Sequence, residues 1–142
     1  MSQVNFYTLS NPDPHARLQF VCRLTEKATE LGHQVFIQTA TAAEAKLLDD
    51  LLWQFKPASF IPHALVSKED TAVTIGVSIS AQNAPAGCND VLINLTDRAC
   101  EQFQQFARIN EIVAANLDSI QAGRERYRVY RDAGVALETF KI

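Results

Sequence analysis

With 142 residues and 47% hydrophobic side chains, the chain falls in the size range of one globular domain built on one core. A 20% charged fraction and a formal net charge of -3 exclude a disordered polyelectrolyte, and equally a surface built throughout to meet nucleic-acid phosphates, so any anion site must be local. Cys22, Cys88 and Cys100 are odd in number, widely spaced and free of any Cys-x-x-Cys pattern, which suggests neither a disulfide framework nor a zinc ligand set.

The opening MSQVNFYTLS has neither the charged start nor the apolar stretch of a signal peptide, and no run approaches the roughly 20 apolar residues of a membrane span. The expectation is a cytoplasmic protein without membrane contact. Val4 to Leu9 predicts a first strand, closed by the breaker cluster Ser10 to Pro14. From His15 to Leu31 the residues Leu18, Val21, Leu24, Ala28 and Leu31 recur at steps of three or four before Gly32, which predicts a helix with one apolar face. Gln34 to Thr39 predicts a second strand. Thr41 and Glu44 then have the spacing of a capping box, opening a helix that reaches about Trp53. Strand, helix, strand, helix favours a parallel sheet, because parallel neighbours need a crossover of helical length.

Lys56 to Ser67 is a connection with two prolines that nonetheless carries Phe60, Ile61, Leu65 and Val66. Val73, Ile75, Val77 and Ile79 alternate with smaller or polar residues, predicting a strand with one wet face near a sheet edge. Val91 to Leu95 is almost continuously apolar, as a strand buried on both faces would be. Asp97 to Phe106 is read as a short helix and Arg108 to Val113 as a further strand. A last helix runs from about Asn116, a capping residue, to Asp132, with Gly134 able to take the left-handed conformation beyond it and Val135 to Ile142 as a short tail. The whole, residues 1–142, reads as a single α/β domain with helices on both faces of a mostly parallel sheet.

Such a sheet invites a nucleotide, but the five glycines are all more than three positions apart, giving neither G-x-G-x-x-G nor a P-loop. His15, His33 and His63 show no metal-ligand spacing, and no G-x-S-x-G elbow is present. No cofactor, metal or catalytic residue is therefore expected.

Two features stand out. Arg124 to Arg131 gathers four of the eight arginines into eight residues, and helical spacing sets Arg124, Tyr127, Arg128 and Arg131 on one stripe. Planar donors beside an aromatic body suit a carboxylate or phosphate. A single stripe on a net-negative domain would bind nucleic acid weakly and with strong salt dependence, so an acidic peptide ending in a free carboxylate fits better. The second feature is Trp53, the only tryptophan, followed by Phe60, Ile61, Pro62 and His63, which have the look of interface anchors or of a cap on one end of the core.

These features, with Asn5-Phe6-Tyr7, Leu52-Trp53, Ser59 to His63, Val91 to Leu95 and Arg124 to Gly134 in this order, resemble the chi subunit family of bacterial DNA polymerase III over essentially the whole chain. The resemblance implies a Rossmann-like fold without the nucleotide motif and an accessory, non-catalytic role in DNA replication. It further implies two separate contacts. One, through Trp53, Phe60, Ile61, Pro62 and His63, is with the psi subunit, which tethers chi to the clamp loader; the same surface serves a DNA repair helicase. The other, through Arg124, Tyr127 and Arg128, with Val113, Gly134 and Thr139 forming an apolar pocket, is with the acidic C-terminal tail of the single-stranded DNA-binding protein. Arg128 stands where a lysine is expected. A direct single-stranded nucleic-acid-binding domain and a nucleotide-using enzyme are the rival readings.

Overall fold

The computed structural model describes residues 2–54, 63–65, 76–85 and 87–142, with His63 and Ala64 described by their backbone alone. Along these the elements are β1 (Gln3–Thr8), α1 (Pro14–Glu30), β2 (Val35–Gln38), α2 (Ala42–Gln54), β3 (His63–Leu65), β4 (Val77–Ser80), β5 (Val91–Asn94), β6 (Arg108–Val113), α3 (Leu117–Asp132) and β7 (Ala136–Lys141). The strands form one sheet in the order β3-β4-β2-β5-β6-β1-β7. Every described pairing is parallel, so the sheet is wholly rather than mostly parallel.

Each helix starts where its sequence offers a substitute acceptor for free backbone donors. Asp13 accepts from the N–H of His15 ahead of Pro14, and Asn116 accepts from that of Ser119 at 2.8 Å. At α2 the Thr41 hydroxyl accepts from Glu44 N–H at 3.1 Å, while the Glu44 carboxylate reaches back to Ala40 rather than to Thr41 itself. Gly134 ends α3 with φ +77°, a value that costs a glycine nothing.

Strand alternation divides the interior into two cores. On one face, Val35, Ile37, Val77, Ile79, Val91 and Ile93 meet Leu18 and Val21 of α1 and Leu48 and Leu52 of α2. On the other, Val4, Phe6, Phe36, Leu92, Ile109 and Val113 meet Tyr130 and Ile120 of α3 and the segment carrying Cys88, Cys100 and Phe106. One α/β layer arrangement with helices on both faces results.

Three expectations are corrected. Of the strand expected from Val73 to Ile79, Val73 and Ile75 lie outside the described residues, and Val77–Ser80 has no wet face: Ser78 and Ser80 are buried, and Ser78 lines a small cavity with Phe36, Cys88 and Phe106. Asp97 to Phe106 forms only a 3-10 turn at Phe103–Gln105. There Asn94 and Thr96 side chains take the local backbone groups, with Asn94 Nδ2 donating to Arg98 O at 2.7 Å and Thr96 N–H donating to Asn94 Oδ1 at 3.0 Å, so the chain turns instead of coiling. The closing tail is a strand, β7, paired with β1 from Gln3↔Ala136 to Thr8↔Lys141.

All three cysteines are free and buried, and burial pushes their thiols up, that of Cys22 to about 11. The thiolate is the reactive form, so Cys22 in the folded chain should react with iodoacetamide at pH 8 about a hundredfold more slowly than in denaturant. Mass spectrometry of the labelled protein checks this, and rapid native labelling of Cys22 would contradict the burial.

Candidate functional site

A groove is built from the last helix and three strands, one of them the first of the chain. The outward stripe of α3 forms one wall and the carboxyl ends of β6, β1 and β7 form the floor and the other wall, enclosing about 400 Å³. The lining contains Val113, Arg124, Tyr127, Arg128 and Thr139, five of the six residues assigned to a tail pocket from sequence. Gly134 is absent from it and sits at the far end of α3.

The floor is apolar and shaped by Gly123. A Cβ there would lie 3.0 Å from Val113 Cγ2, so the missing side chain is what lets α3 lie close on β6. Tyr127 is 38% exposed and its ring lies 5.5 Å from that of Phe6, which leaves one side of the tyrosine as groove wall. Above this floor Arg124, Arg128 and Arg131 form a rim. Arg131 pairs with Asp132 at 3.2 Å, whereas Arg124 and Arg128 have no ion-pair partner among the described residues. Two uncommitted guanidinium groups over an apolar slot can grip a carboxylate and seat an apolar side chain beside it.

The fourth arginine of the run does something else. Arg126 is 4% exposed and points through the helix to the sheet, where its Nε donates to Glu111 Oε1 at 2.8 Å. The second Glu111 oxygen accepts from Tyr130 Oη and from Asn94 Nδ2, the latter at 2.9 Å. Burial pushes the Glu111 carboxyl above its ordinary pKa, with Arg126 and the hydrogen bonds of Tyr130 and Asn94 pulling the other way. Burial, and after it the same carboxylate, push the Tyr130 phenol far up. Sequence reasoning missed this network, although Arg126 and Tyr130 stand at i, i+4 and Glu111 has the parity of Ile109 and Val113. It also passed over Phe6, Thr8, Ile120 and Gly123 as groove residues.

At the opposite edge of the sheet, Trp53 lies in the last turn of α2 and is 56% exposed, and Leu65 of the edge strand β3 is exposed as well. Of the other residues assigned to that contact, Phe60, Ile61 and Pro62 lie outside the described residues, and of His63 the backbone alone is described, in β3.

A third cavity, about 330 Å³, lies beyond the carboxyl ends of β1, β5 and β6, where α/β sheets of nucleotide-binding proteins hold phosphates. Asp13, Asp97 and Asp118 line it together with Arg17 and Arg126, and both arginines are engaged by carboxylates of their own, Glu44 and Glu111.

Residues 1–138 match the family model described as DNA polymerase III chi subunit, HolC. The chain belongs to the DNA polymerase III chi subunit family. The DNA polymerase III subunit chi of Pseudomonas aeruginosa is 37% identical over 142 residues, covering 100% of this chain and 98% of that one. Those of Haemophilus influenzae and Escherichia coli are 30% and 28% identical, covering 94% and 98% of this chain and 93% and 97% of theirs. Among solved structures, T4 UvsW matches with a TM-score of 0.70 at 12% identity, over 99% of this chain and 41% of that one. The C-terminal domain of S. cerevisiae Dbp5 matches with a TM-score of 0.64 at 10% identity, over 99% and 90%. These two likenesses concern the fold alone. Among the described residues no helix is long and apolar enough to cross a membrane.

Proposed function

We propose that this chi-family chain is a bridge within the replication machinery. Its apolar edge around Trp53 docks on the psi subunit and so on the clamp loader, and its arginine groove takes the acidic C-terminal tail of the single-stranded DNA-binding protein. The work is done in the cytoplasm, at the replisome, and without catalysis.

The observation that carries this reading is the placement of the two surfaces at the two edges of a seven-stranded sheet. Six strand spacings of about 4.8 Å separate β3 from β7 by roughly 29 Å, which supports two separate contacts. The groove supports the tail assignment by its chemistry, since an apolar floor beneath two arginines without an ion-pair partner among the described residues matches a peptide that ends in an apolar residue with its own carboxylate. Several tails on one protein assembly would raise the effective concentration at a single groove, so a micromolar site suffices for firm attachment.

Co-purification with psi and with single-stranded DNA-binding protein tests the bridge. Trp53→Ala should lose psi and keep the tail partner, and Arg124→Ala should do the reverse. If either substitution removes both partners from a folded protein, or neither, the two-address reading fails. The rival, direct binding of single-stranded DNA by the arginine stripe, requires steep salt-dependent binding to naked DNA.

A further inference from the structure

β7 is an edge strand of the described sheet. β7 runs for six residues without a proline, and all of them are exposed or half-buried. Ile142 N–H donates to the Thr8 carbonyl at 2.9 Å and the Phe140 carbonyl accepts from the Thr8 hydroxyl at 3.2 Å, so the even-numbered residues turn their backbone groups toward β1. By strand alternation, the N–H and C=O groups of Leu137, Thr139 and Lys141 point away from the sheet, where no described strand pairs with them.

This open ladder adjoins the groove, because Thr139 lines it from β7 while Arg128 and Arg131 line it from α3. α3 returns from the carboxyl end of β6 to the amino end of β7, so the order Arg124, Arg128, Arg131 runs against the direction of β7. A peptide whose last carboxylate sits at Arg124 and whose upstream residues pass Arg128 and Arg131 therefore runs in the same direction as β7.

We infer that the acidic segment upstream of the tail's last residues adds to the free edge of β7 as an eighth, parallel strand. This rests on the groove being the tail site. Main-chain bonds to Leu137, Thr139 and Lys141 hold the extended peptide, and Arg128, Arg131 and the Lys141 ammonium match its carboxylates. Charge selects this occupant over a second copy of β7, whose one carboxylate, Glu138, is offset by its own Lys141 and leaves the rim arginines unmatched.

The test uses a synthetic peptide of about nine residues, long enough to span β7 and the groove, acidic upstream and ending in phenylalanine with a free carboxylate. Single backbone N-methyl groups are placed along its upstream part. Affinity should fall by about tenfold or more at alternate positions and by less than about twofold at their neighbours, since only every second N–H of an added strand faces its partner. Binding should also slow hydrogen exchange at the amides of Leu137, Thr139 and Lys141. Uniform tolerance of N-methylation with unchanged exchange overturns the inference and leaves the groove reading intact, because that reading is decided separately by Arg124→Ala. Dimers of the peptide-free protein joined through β7 would overturn it as well.

Discussion

Replacing Glu111 by alanine should destabilise the fold by about 3–5 kcal/mol, a large share of what a domain of this size possesses. The loss does not measure the worth of the ion pair. It arises because Arg126, the Tyr130 hydroxyl and the Asn94 amide would be left buried without their acceptor. Urea unfolding of three proteins separates the contributions: Glu111→Ala, Glu111→Gln, which keeps one acceptor oxygen, and the double variant Glu111→Met with Arg126→Leu. The double variant should regain only part of the stability lost by Glu111→Ala, since it removes the stranded Arg126 charge and keeps the volume but still leaves the Tyr130 hydroxyl and the Asn94 amide without the carboxylate. A Glu111→Ala loss no larger than about 0.5 kcal/mol, the level of a surface substitution, would contradict the network. The pH dependence has a definite sign. The folded carboxyl titrates above its unfolded value of about 4.5, so its contribution is fully present below that pH and is lost as pH rises through the folded pKa. Glu111→Gln should remove that decline.

The same residues show why some of the molecule was legible in the sequence and some was not. α1, α2, β6 and α3 carry their signals locally, in the breaker cluster that ends at Pro14, in the caps at Thr41 and Asn116 and in apolar spacing that a packed face demands. The arginine stripe was legible for the same reason, since helical angle alone separates Arg124, Tyr127, Arg128 and Arg131 from Arg126 and Tyr130. β7 was not, because an edge strand buries only a half-face: Leu137 packs against the α3 core, Phe140 stacks on Tyr7 at 5.2 Å, and the rest is exposed. The serines of β4 misled by being small rather than wet, filling space beside Phe36 that no count of polar residues reveals. Glu111 was hidden because a charge in an apolar strand is explained only by its partners, and those lie on other elements, Asn94 on β5 and Arg126 and Tyr130 on α3.

Arg124→Ala should weaken binding of the acidic tail peptide by about 2–4 kcal/mol, or roughly 30- to 1,000-fold in Kd. Arg124 lines the groove beside its apolar floor and has no ion-pair partner among the described residues, so its guanidinium meets the peptide without first breaking a bond. The effect should be specific to the terminal carboxylate. Amidating the peptide's C-terminus should weaken binding to wild type by a similar factor and have little further effect on Arg124→Ala, because each change removes the same bond. Arg124→Lys should recover only part of the loss, since an ammonium cannot make the paired, planar contact. Tyr127→Ala should act through the apolar side, weakening peptides that end in phenylalanine more than peptides that end in alanine. Equal affinity of wild type and Arg124→Ala, measured by fluorescence anisotropy at physiological salt, would remove the groove from consideration as the tail site. Full additivity of the amide and the alanine would keep the groove but move the carboxylate to another cation, for which Arg128 is the next along the rim.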